Sequence, residues 1–117
     1  MNADKPQKSI LPAAAEEAVQ KMIDIVKAVR ELAEKEAAVL YSQDSAAMKR
    51  LIAEKDALSK IYEKSGEEFR ARGEEFRNVG RALLLELKAE QEHVQDLVRE
   101  NSKVYDAARA KKTGKKN

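Results

Sequence analysis

The sequence predicts an all-α protein, an antiparallel helical hairpin or elongated coiled-coil bundle in a single domain. Three observations carry this. The 117 residues are 38% charged and 43% hydrophobic, with 4% aromatic, 4 Gly and 2 Pro, a balance typical of long helices. Apolar residues recur at alternating intervals of three and four, the period of one helix face. A polar cluster, SQDS at residues 42–45, interrupts that period.

Residues 1–11 are polar, contain Pro6 and lack periodicity, so a disordered N-terminal segment is expected. Pro12 suits a first helical position, where its missing N–H costs nothing. The first helix is expected over 12–41, with Ala15, Val19, Met22, Val26, Val29, Ala33 and Leu40 along one face and Ile25, Leu32 and Val39 beside it. The two rows cover an arc of roughly 200°, too wide for one coiled-coil seam, so this helix should touch more than one neighbour. At 42–45, Asp44 or Ser45 can cap a following helix. So short a connection sends that helix back antiparallel.

The second arm, 45–108, opens with Met48, Leu51, Leu58 and Tyr62 and then meets GEEFRARGEEFRNVG at residues 66–80. A break at Ser65-Gly66 is one reading, since Ser65 and Glu68 form a capping box and each interior glycine costs about 1 kcal/mol relative to alanine. Helix phase favours continuity: at 100° per residue, Leu51, Leu58, Tyr62, Phe69, Phe76, Leu83, Leu87, Val94, Val98 and Tyr105 fall within about a 60° sector. On that reading Phe69, Gly73, Phe76 and Gly80 form a helix-packing face, the glycines admitting another backbone. The first arm then spans roughly 44 Å and the second roughly 96 Å. Either the chain folds back near 65–80 into a three-helix bundle, or the late stripe Leu83, Leu87, Val94, Val98 and Tyr105 is covered by a second copy or a protein client. Leu85, opposite that stripe and between Ala82 and Ala89, could extend a contact patch.

Catalytic and metal chemistry have no support. There is no cysteine. His93 lies in Glu90-Gln91-Glu92-His93, half of a di-iron pattern that needs a second such pair and two further carboxylates. The serines have no histidine or strained turn near them, and the glycines match no phosphate-binding loop. A non-enzymatic protein without cofactor or metal is expected. No stretch approaches the roughly 18 apolar residues of a membrane span, and no leader is evident, which implies a cytoplasmic location. The final nine residues, RAKKTGKKN, carry five basic groups, leaving residues 1–108 at a net charge of −3. They read as a basic disordered tail, 109–117, with nucleic-acid binding through Lys111, Lys112, Lys115 and Lys116 as a minor alternative. A structural coiled-coil scaffold or homodimer is the other alternative. Gln91 and Asn101, polar residues on the late stripe, are expected to fix register or face water.

Two segments together resemble a known family. ELAEKEAAVLYSQDSAAMKRLIAEKDALSKI, residues 31–61, has a leucine-bearing helix, a short acidic-capped turn and a second helix spaced Leu51, Lys55, Leu58. LLLELKAEQEHVQDLVRENSKVYDAAR, residues 83–109, follows as a long amphipathic helix containing Asn101. The arrangement is similar to flagellar export chaperones of the FlgN type, small all-helical cytoplasmic proteins that hold hook-filament junction proteins in a secretable state and deliver them to the type III export gate. The resemblance implies structural roles for Leu40, Leu51 and Leu58 in the hairpin, with Asp44 at the cap, and these complete an expected hairpin core with Val26 and Val29 of the first helix face. It also implies client binding on Leu83, Leu87, Val94, Val98 and Tyr105. The chain departs from the family pattern in its glycine heptads, short C-terminus and basic tail.

Overall fold

The structure, a computed structural model, describes residues 9–113, with side chains described to residue 110. It is all-α. Helix α1 runs Ala15–Ser42, α2 runs Ser45–Ala71 and α3 runs Arg81–Thr113, with a 3-10 segment, Gly73–Asn78, between α2 and α3.

The turn joining α1 to α2 follows from local chemistry. Gln43 closes α1 in the left-handed region (φ 60, ψ 29), its N–H bonded to the Val39 carbonyl. Asp44 accepts the Ala47 amide at 3.0 Å, satisfying one of the free donors of α2 as expected for this cap. The chain reverses at once, and Lys35 pairs with Glu54 and Glu36 with Lys55 across the hairpin.

A second reversal separates α2 from α3. Pairs Lys27–Glu86 and Arg30–Glu90 place α3 alongside α1 and running in the same sense, so the helices go up, down and up. The central helix is α1, and both of the others pack on it rather than mainly on one another. Its wide apolar arc is the reason: Val19, Met22, Ile23 and Val26 are fully buried against Phe76, Val79, Leu87 and Val94 from the second half of the chain. Leu51 is buried too, whereas Val29, Leu40 and Leu58 are half-buried. The longest dimension, 58 Å, fits α3, about 50 Å at 1.5 Å per residue, but not an uninterrupted second arm.

The expectation of continuous helix through residues 65–80 is therefore corrected. The break falls neither nowhere nor at Ser65-Gly66 but at residues 72–80. Arg72 leaves the helical region (φ -106, ψ 21), and Val79 is extended (φ -75, ψ 146). Phe76 stacks on Phe69 with ring centroids 4.4 Å apart and planes at 16°. A straight helix would hold these two residues roughly 10 Å apart along its axis. Gly73 and Gly80 do not admit a neighbouring backbone, because a Cβ at either would meet nothing within 4 Å. Gly73 instead opens the 3-10 segment, and the Gly80 carbonyl accepts the Leu83 and Leu84 amides at the start of α3. Ser65 is buried inside α2 with its hydroxyl donating to the Tyr62 carbonyl, so it caps nothing.

The termini differ from expectation as well. Helix α1 begins at Ala15, three residues beyond Pro12. Residues 10 and 11, expected to be disordered with the rest of 1–11, are bound. The Ile10 and Leu11 amides donate to the Glu68 carboxylate at 2.9–3.1 Å, and Leu11 is buried. Arg72 grips the next turn, donating to the Pro12 and Ala13 carbonyls at 2.7 and 2.8 Å. Residues 1–8 lie outside the described residues. At the other end, residues 109–113 belong to α3, so the tail reading does not hold for them, and 114–117 lie outside the described residues.

Candidate functional site

Because α2 and α3 share α1 as their common support, an open groove runs between them. Its floor is Val29 and Ala33 of α1. Leu58, Ser59 and Tyr62 of α2 form one wall, and Val94 and Val98 of α3 the other, around a cleft of about 390 Å3. A second cleft of about 440 Å3 continues it toward the reversal, lined by Met22, Gly66, Phe69, Arg70 and Gln91 among others. Both clefts include Ser59 and Tyr62, which makes them one groove. From Lys55 to Arg70 on α2 the groove is roughly 22 Å long at 1.5 Å per residue.

A polar cluster closes one end and ties all three helices together. Glu36 of α1, only 5% exposed, accepts hydrogen bonds from Lys55 of α2 at 2.9 Å and from Asn101 and Tyr105 of α3 at 3.3 and 2.5 Å. Asn101, also buried, gives a second donor hydrogen to the Ala33 carbonyl at 3.0 Å. Burial works to raise the Glu36 carboxyl, but the hydroxyl of Tyr105, the ammonium of Lys55 and the amide of Asn101 outweigh it and hold the group below its ordinary range. The phenol of Tyr105 is pushed up to about 12 by burial and by the hydrogen bond to, and negative charge of, Glu36. Each group is satisfied by another, so the cluster sets register rather than poising a reactive atom. This is the role expected of Asn101.

The sequence-predicted client residues are divided by the fold. Val94, Val98 and Tyr105 meet at the groove, with Val98 at its lip and 53% exposed. Leu87 is buried in the core. Leu83 is half-buried on a separate shallow face beside Glu16, Glu17 and Gln20. From the expected hairpin core, Val29 and Leu58 line the groove while Val26 and Leu51 are interior. Phe76 is buried, Phe69 lines the second cleft, and Gly73 and Gly80 are exposed at the reversal. Leu85, Ala82 and Ala89 are exposed on the outer side of α3.

Glu36 was missed by pattern reading. A signal existed: it fills the vacant place in the row Val29, Ala33, Leu40, where a charge must find partners if the face is buried. The carboxylate of Glu90, half of the Glu-x-x-His pattern, is taken by Arg30 at 2.9 Å, and His93 is exposed. Among the described residues no group of three or more histidines, cysteines or carboxylates is gathered for a metal ion. No described helix is long and apolar enough to cross a membrane.

Comparison with protein-family models, with curated proteins and with solved structures finds no match to this chain.

Proposed function

We propose that this protein binds an amphipathic helical segment of a protein client in the groove between α2 and α3. It would keep that segment soluble, as flagellar export chaperones of the FlgN type hold hook-filament junction proteins before delivery to the export gate. The observation that carries the reading is the groove itself. Two helices share one support and leave between them an apolar trough whose floor and walls, Val29, Ala33, Leu58, Tyr62, Val94 and Val98, have the chemistry of a helix-packing seam. A helix laid there would complete a four-helix arrangement. Burying a few hundred Å2 of apolar surface at about 25 cal/mol per Å2 is favourable by several kcal/mol before the cost of association. That balance gives reversible affinity, as a carrier requires. The export role rests on the resemblance of residues 31–61 and 83–109, and the binding role on the groove.

Val98 offers the cleanest test because it is half out of the groove and its loss leaves the core intact. Val98→Asp is expected to weaken binding of a hook-filament junction client about 10- to 100-fold, since a carboxylate would be buried without a partner. Circular dichroism should show unchanged helix content. Undiminished binding by a folded variant would remove the groove as the client site.

A further inference from the structure

We infer that the groove takes a helix with uncharged flanks, belonging to a different protein, and recognises it by shape and apolar contact rather than by charge. This rests on the reading of the groove as a helix-binding site and names the chemistry of its occupant. In a chain that is 38% charged, the α3 residues lining the two clefts are Gln91, Val94, Val98, Asn101, Ser102 and Tyr105, and none carries a charge. The charges that do line the groove cancel. Glu36 is paired with Lys55 at 2.9 Å, and Glu63 and Arg70 contribute one of each sign at the other end. Depletion of charge is the compositional mark of the buried centre of an interface. A groove without net charge has no field with which to select an acidic or a basic helix, and it penalises either by desolvation. Ser59 and Gly66, two turns apart on the α2 wall, are small, with the flexible Arg70 guanidinium 3.4 Å from where a Cβ at Gly66 would stand.

The given residues that lie outside the described part offer no apolar stripe for the groove. Outside the described part lie MNADKPQK at residues 1–8 and GKKN at residues 114–117, with Met1 the only large apolar side chain between them. A second copy is a poor match too. A groove needs a ridge, and the outward faces are largely charged, with Asp24 and Glu31 on α1, Asp56 and Lys60 on α2, and Asp96 and Lys103 on α3 all exposed, while the exposed Tyr41, Ile52 and Ile61 form no stripe, Ile52 and Ile61 facing opposite sides of α2. Leu85 is a single leucine between two exposed alanines.

Three synthetic 16-residue peptides test this, sharing one leucine stripe at helical spacing and differing only in flanks of Gln, Ser and Ala, of Glu, or of Lys. Binding to the full chain is measured by fluorescence anisotropy at low and high salt, with the site mapped by amide NMR shifts. The neutral peptide should bind, shifting Ser59, Gly66, Gln91 and Val98, and its affinity should change less than about twofold with salt, because no ion pair is being screened. The charged peptides should bind about tenfold more weakly. Equal or tighter binding of a charged peptide at the same residues would overturn the inference and leave the groove as a helix site. Failure of all three peptides, or sedimentation showing a dimer that covers those residues, would remove both.

Discussion

Replacing Glu36 by alanine should lower the unfolding free energy by about 2–4 kcal/mol, measured by urea denaturation at neutral pH. The side chain, on α1, accepts from both other helices, and its removal leaves the buried Asn101 amide and the Tyr105 hydroxyl short of a partner. An unsatisfied buried donor costs about 1–3 kcal/mol, more than the same bond contributes when made. Lys55 adds little to the loss because its ammonium can turn to water. Glu36→Gln, which keeps an acceptor oxygen, should cost less. The cluster also gives the protein a pH signature at both extremes. The Glu36 carboxyl is held below its usual value, so its contribution is complete above about pH 4.5, the unfolded value, and is lost as pH falls through the lower folded value. Tyr105 is shifted the other way, from 10.0 to about 12. Its contribution is complete below pH 10 and is lost between there and pH 12. That shift corresponds to roughly 2 kcal/mol after allowance for the partial exposure of the ring. Tyr105→Phe should flatten the alkaline limb of the stability profile, and an alkaline loss that persists unchanged in this variant would show that the phenol is not its source.

Phe76→Ala is the second large effect, expected at about 3–5 kcal/mol. The ring is 4% exposed, sits in the core shared with α1 and Leu11, stacks on Phe69 and lies under the Arg72 guanidinium at 5.3 Å. Its loss should loosen the reversal between α2 and α3 as well as the core, so protection of the Val79 amide, bonded to the Phe76 carbonyl, should fall with it. Gly80→Ala is the informative contrast. The position has open space around it and an unexceptional φ, so this change should cost no more than about 0.5 kcal/mol. A loss as large as that for Phe76→Ala would mean the glycine is needed for close packing after all.

Much of this fold is legible in the residues, and what is not has a physical cause. The three-and-four spacing from Ala15 to Leu40, the SQDS turn and the Asp44 cap are all local, and all three stand. The width of the apolar arc correctly implied more than one neighbour for the first helix. The second reversal, read only as an alternative near residues 65–80, was not preferred because the stripe keeps its phase across it: Phe69 of α2, Phe76 of the 3-10 segment and Leu83, Leu87 and Val94 of α3 all pack toward α1 although no single helix carries them. Phase agreement reported a shared partner, not a continuous backbone. The capping-box pattern at Ser65 and Glu68 misled for a related reason. The Glu68 carboxylate serves the amides of Ile10 and Leu11, some 58 residues earlier in the chain, and no local pattern announces such a partner. Half of the groove, namely Val94, Val98 and Tyr105, was visible as an apolar stripe. Its α1 floor and the buried Glu36 emerge only once α2 and α3 are both laid on α1.

The central claim is that the chain turns back at residues 72–80 and sets α2 and α3 side by side across α1, with the groove between them. The absence of native cysteine allows a direct measurement. Spin labels at Asp56→Cys and Asp106→Cys, both exposed and both next to a Glu36 partner, report the α2–α3 separation by pulsed dipolar spectroscopy. Doubly labelled protein is diluted in unlabelled protein so that only distances within one chain are read. A single distribution below about 30 Å is predicted. An uninterrupted second arm would place the labels roughly 75 Å apart, at 1.5 Å per residue, and a distance in that range would contradict both the reversal and the groove built on it.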